Sequence, residues 1–234
     1  SKEFINILFI FLIAFILKSI QLRQKIKITI ILVLFVLFGL WYRIYFIMIP
    51  VLAVTSFMVF RLKIRKKIIV SIFVSVLAAI FMSVSYAVVS GEYMSESTRE
   101  ELNEKRKGRQ DSQTLILSPV KTNSPIGEAV GIIYGYVTVN LPFESIIKFY
   151  YKPQVILFSI WQILLFYVLI IKFNKAREES TSAHDERLWL FHIVFSYFVI
   201  QGVFEPDLGS SIRHKFGVLP IIYQAIFYTR LYGK

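Results

Sequence analysis

Glu205-Pro-Asp-Leu-Gly-Ser-Ser-Ile-Arg-His-Lys215 is an acidic and then basic stretch set between two apolar runs, 188–204 and 216–228. Both runs read as crossings of a hydrocarbon core about 30 Å thick, so the stretch between them is a short hairpin that turns at one membrane face. It puts Arg213, His214 and Lys215 together at the end of a membrane helix, with Glu205 and Asp207 facing them in the same turn. Interfacial anchoring alone explains basic residues at such a place, because Lys and Arg snorkel to headgroups. The two carboxylates are not explained that way.

Working outward, the composition agrees with a lipid solvent. Hydrophobic residues make up 56% of the chain and aromatics 16%, and the mean hydropathy is +0.63. Values this far above a soluble domain mark an all-α integral membrane protein. There is no cysteine, which excludes a disulfide framework and thiolate metal sites. His184, His192 and His214 lie far apart without metal-ligand spacing, so neither a metal centre nor another cofactor is expected. The net charge of +12 sits in short loops between apolar runs, where topology asks for it, and implies orientation and contact with anionic membrane lipids, not nucleic acid.

Along the chain, spans are expected at 4–20, 28–42, 44–60 and 68–89, forming a four-helix segment over 1–90. The basic cluster after the first run reverses the order of a signal peptide. Small residues Ser71, Ser75, Ala78, Ala79 and Ser83 admit a close neighbour, so the fourth span is expected to be buried. Residues 91–153 then form one long polar loop. Ser97 and Glu100 have capping-box spacing for a solvated helix, and Gln113–Pro125 reads as irregular or extended chain. Gly127, Gly131 and Gly135 share a face of a further helix over 127–141, interfacial or re-entrant by its length, with a short tilted span as the alternative. Spans at 155–171, 188–204 and 216–228, with a loop at Lys172–Arg187, complete a three-helix segment over 154–234 and a total of about seven.

Placing the basic loops in the cytoplasm makes the long loop and the hairpin extracytoplasmic. If 127–141 spans, the hairpin turns inward instead. The same alternation places the N-terminus outside. With Ser at position 1, this points to a longer natural protein of which this chain is the C-terminal part, or to a processed one.

The hairpin's residue types carry a definite chemistry. Arg213 offers a planar fork for phosphate or pyrophosphate, with Lys215, Ser210 and Ser211 as further substrate-binding donors. His214 suits proton transfer near neutral pH, and Glu205 or Asp207 suits activation of a hydroxyl nucleophile or orientation of a basic partner. The alternative is that these groups simply pair with one another.

Phe204-Glu-Pro-Asp-Leu-Gly-Ser-Ser-Ile-Arg-His-Lys-Phe-Gly-Val-Leu-Pro220, with Asn140-Leu-Pro-Phe-Glu144 upstream of a Trp-containing span, resembles the C-terminal region of O-antigen polymerases and related membrane glycosyltransferases. The likeness covers roughly 126–231. It implies a multi-pass protein of the bacterial cytoplasmic (inner) membrane that transfers sugar chains from an undecaprenyl-pyrophosphate-linked oligosaccharide in surface polysaccharide biosynthesis at the cell envelope. Arg213 and His214 are the positions carried over, and other polysaccharide-assembly membrane proteins are the implied partners. A non-enzymatic scaffold or a transporter subunit of an envelope assembly is the competing class. Against transport, the spans hold almost no ionisable residues in their middles. His192, one turn inside its span, is expected to be a hydrogen-bonded structural histidine.

Overall fold

The computed structural model describes residues 2–19, 23–42, 44–62, 67–95, 119–121, 123–179, 186–205 and 207–232. Among these the chain is helical, with no strand. The helices are α1 Lys2–Ser19, α2 Gln24–Trp41, α3 Met48–Arg61 led by a 3-10 turn at Ile44–Ile47, α4 Lys67–Ser90, α5 Pro125–Asn140, α6 Phe143–Lys148, α7 Pro153–Glu179, α8 Glu186–Phe204 and α9 Leu208–Tyr232. Four are long and apolar enough to cross a membrane: α2, the Ile69–Ser90 part of α4, α7 and α8. At 1.5 Å per residue, the shortest of these still reaches about 27 Å. Shorter apolar helices occupy Phe4–Leu17 and Tyr45–Arg61. The chain is thus an all-α membrane protein. The Ser97–Glu100 helix and most of the extended stretch Gln113–Pro125 lie outside the described residues.

Three local expectations are corrected. The last helix begins earlier than expected, at Leu208, because Asp207 caps it; Arg213, His214 and Lys215 are helical. The loop at Lys172–Arg187 is shortened because α7 continues to Glu179, where Lys175 lies 3.6 Å from Glu179 one turn away. The fourth span is not buried: only 22% of its apolar window is. Its buried stripe is the expected small-residue one, with Ser71, Ser75, Ala79 and Ser83 inward.

The chain forms two compact units. Unit 1 comprises Ser1–Val74, Tyr167–Tyr197 and Arg213–Lys234. Its core is aromatic: Phe9 stacks on Phe38 at 3.9 Å and meets Phe35 edge-on at 5.3 Å, while Phe46 stands edge-on to Phe38 at 5.0 Å. The reversal from α2 into the 3-10 turn requires Gly39, since a Cβ there would lie 2.6 Å from Ile47 Cγ1 and 2.8 Å from its backbone nitrogen. Buried polar groups are few in this unit, and some of them are matched. Lys27 Nζ donates to the Leu17 carbonyl at 3.1 Å and pairs with Glu186 at 2.8 Å, joining α1, α2 and α8. His192 Nδ1 lies 2.8 Å from Ser56 Oγ, with Phe57, Phe60 and Phe173 edge-on around the imidazole, a structural histidine as expected.

Unit 2 comprises Ser75–Phe166 and Phe198–Ile212. Here α5 crosses the end of α8 at Gly202, where a Cβ would lie 2.4 Å from Tyr136 Cα, so only glycine lets the two backbones approach this closely. Asn140 fixes the crossing by donating to the carbonyls of Tyr136 and Phe198, at 2.9 and 3.1 Å. Phe166 of α7 packs against Phe198 at 6.2 Å.

Candidate functional site

The last two turns of α8 are buried all round, Phe198 through Glu205, and polar side chains converge on them. Ser159 and Gln162 lie three residues apart on one face of α7, both fully buried. They continue the buried stripe to Phe166, which touches Phe198. Moving back one to two turns from Phe166 on an antiparallel helix brings Gln162 and Ser159 to the level of Gln201, Gly202 and Glu205. Asn140 approaches the same helix from α5, and Gln201 Nε2 donates to the Ser211 carbonyl of α9 at 3.1 Å.

Most of these atoms are spoken for, but a definite set is not. Gln162 Oε1 and Nε2, Ser159 Oγ and Asn140 Oδ1 are buried with no hydrogen-bond partner among the described residues. An unmatched polar atom in a dry interior costs on the order of 1–3 kcal/mol, so four of them around one helix end are expensive as pure architecture.

The residues chosen from sequence are divided by the fold. Glu205, Asp207, Ser210 and Ser211 are buried in unit 2. Asp207 caps α9: Ser210 donates its backbone N–H to Oδ1 at 2.8 Å and its hydroxyl to Oδ2 at 3.1 Å. Ser211 Oγ donates to the Leu208 carbonyl at 2.8 Å. Arg213, His214 and Lys215 belong to unit 1, where Arg213 is exposed, His214 half-buried and Lys215 buried. Lys215 follows Leu208 and Ser211 on the buried face of α9, with Val218 and Ile222 beyond, so it is not a headgroup anchor in the ordinary sense.

Sequence reasoning passed over Asn140, Ser159, Gln162 and Gln201 as sites. Their signal in the sequence is that of lone amides and hydroxyls inside apolar runs, which carry no charge to mark them. It also passed over Glu128, which is wholly buried in the first turns of α5 and accepts hydrogen bonds from Ser83 and Ser95 on its two oxygens. Ser83 Oγ in turn accepts the Met94 N–H at 3.0 Å.

Close to the start of α9 stands a charged group outside the four candidate spans. Tyr134, which packs against the Val139–Leu208 cluster, donates its hydroxyl to Glu144, and Glu144 pairs with Lys148 one turn along α6. The hydrogen bond from Lys148, reinforced by that from Tyr134, holds the Glu144 carboxyl below its ordinary range. Among the described residues no cluster of His, Cys, Asp and Glu is suited to hold a metal ion. No family model, curated protein or solved structure matches the chain.

Proposed function

We propose that the chain is a membrane glycosyltransferase of the polysaccharide-polymerase kind, acting on an undecaprenyl-pyrophosphate-linked oligosaccharide. The observation that carries this is the set of buried amide and hydroxyl atoms, Gln162, Ser159 and Asn140, left without partners among the described residues at the level of the end of α8. Amides and hydroxyls in a dry, shaped site are the groups that read sugar hydroxyls, because each mismatch leaves a polar atom unpaired. Glu205, level with that set, is the carboxylate for proton transfer. The topology belonging to this reading has about seven spans, with 91–153 and the turn at 205–207 facing out and the site at the outer face of the bacterial inner membrane.

Asp207 favours the second reading, a scaffold subunit, since both its oxygens are engaged in capping α9 and it behaves as architecture. Surface-polysaccharide length in a deletion strain separates the two. At equal membrane levels, Gln162→Leu and Glu205→Gln should each shorten or abolish polymer, with one lost hydrogen bond worth about tenfold in transfer rate. Wild-type polymer from both variants overturns the transferase reading in favour of the scaffold.

A further inference from the structure

A cavity of about 330 Å³ lies in unit 1 where α2 begins, α3 ends and α8 begins. That volume falls in the range of small-molecule pockets. Its deep wall is apolar, formed by Ile28, Leu32, Val54 and Phe57, and Trp189 stacks on Phe57 at 4.0 Å. Its rim is cationic and hydrogen-bonding: Lys25 and Arg61 line it together with Gln24 and Thr29, and no acidic residue does.

Charge here is unbalanced in a specific way. Lys27 is committed to Glu186, whereas neither Lys25 nor Arg61 has an ion-pair partner among the described residues. The buried Nε2 of Gln24 also has no acceptor among them. Gln24 opens the first turn of α2, which contains no acidic residue and whose N-cap Arg23 makes no side-chain capping bond. Two cations, a side-chain amide and the first turn of α2 therefore stand at one end of an apolar slot at the boundary of a candidate span.

We propose that this cavity binds one anionic phospholipid, its phosphate held by Lys25, Arg61 and Gln24 and an acyl chain lying along Ile28, Leu32, Val54 and Phe57. Free phosphate satisfies the rim but not the apolar wall; a zwitterionic lipid satisfies the wall but adds a cation beside Lys25 and Arg61. Trp189 reports occupancy directly because it forms part of the wall. In a Trp41→Phe, Trp161→Phe background reconstituted into vesicles, brominated phosphatidylglycerol should quench Trp189 at a lower mole fraction than brominated phosphatidylcholine. The Lys25→Gln and Arg61→Gln changes should each weaken the preference about fivefold, the worth of one basic residue beside an anionic headgroup.

Equal quenching by the two lipids, or an undiminished preference in the double charge variant, overturns the proposal and leaves a nonspecific lipid contact. Because quenching is read only from folded, reconstituted protein, loss of stability in a variant does not mimic the result. Inorganic phosphate supplies the second arm: if it raises the thermal midpoint in detergent as much as phosphatidylglycerol does, the site is an ion site and the lipid assignment fails.

Discussion

Unit 1 packs the rings of Phe9, Phe35, Phe38 and Phe46 and buries far fewer polar side chains than apolar ones; Lys27 pairs with Glu186 and His192 lies against Ser56, while Asn6 Oδ1, Gln24 Nε2 and His192 Nε2 have no partner among the described residues. Unit 2 buries about as many polar side chains as apolar ones, and Ser159, Gln162 and one oxygen of Asn140 have no partner among the described residues. Within a bilayer the difference is informative. Lipid tails are as apolar as Phe, so helices there associate through tight packing and matched polar groups, and an unmatched amide adds cost without adding cohesion. Unit 1, mostly apolar inside, has the composition of a support, and unit 2, with its larger share of buried polar groups, that of the site proposed above.

The sharpest way to break the comparison is to damage the support. Phe35 is fully buried in the aromatic cluster. Phe35→Ala should destabilise by about 2–3 kcal/mol, below the usual range for a soluble core because the transfer contribution is small in lipid while the cavity contribution remains. Thermal unfolding in detergent measures this, and an unchanged midpoint denies unit 1 its supporting role.

A smaller effect belongs to unit 2's surface. The carboxyl of Glu144 sits below its ordinary value of 4.5 chiefly through Lys148. A depressed carboxyl contributes stability that is fully present above the unfolded value and is lost as pH falls through the lower folded value. Both partners are more than a third exposed, 62% for Lys148 and 38% for Glu144, so solvent screens most of the pair. Lys148→Met should therefore cost only about 0.3–0.5 kcal/mol at neutral pH, a difference that vanishes as the pH drops well below 4.5. Equal midpoints for the two proteins at neutral pH, or a gap that persists in acid, would contradict the assignment.

The contrast between the units also explains what was legible in the sequence. Apolar runs long enough to cross a membrane announce themselves, and the helices at 24–41, 67–90, 153–179 and 186–204 fall on runs marked from hydropathy alone. The small-residue stripe of α4 was legible too, because Ser and Ala at helical spacing have one use inside a bundle. Helix ends were harder: Asp207 looks the same in a sequence whether it waits for a substrate or caps a helix, and only the Ser210 hydrogen bonds distinguish the two. The polar centre was missed for a related reason. Asn140, Ser159, Gln162 and Gln201 come from three helices separated by long stretches of chain, and their convergence is a product of the Gly202–Tyr136 crossing and the Phe166–Phe198 contact. Periodicity shows which face of a helix is buried, not which face it meets.

The contrast is tested most directly by the thermal midpoint of Gln162→Leu. Gln162 is wholly buried, and neither of its amide atoms has a hydrogen-bond partner among the described residues. If it is retained for a ligand, a leucine of similar size should leave the midpoint unchanged or raise it, by up to about 1–3 kcal/mol of relieved desolvation. A midpoint lowered as far as that of Phe35→Ala would make Gln162 part of the support and erase the distinction between the two units.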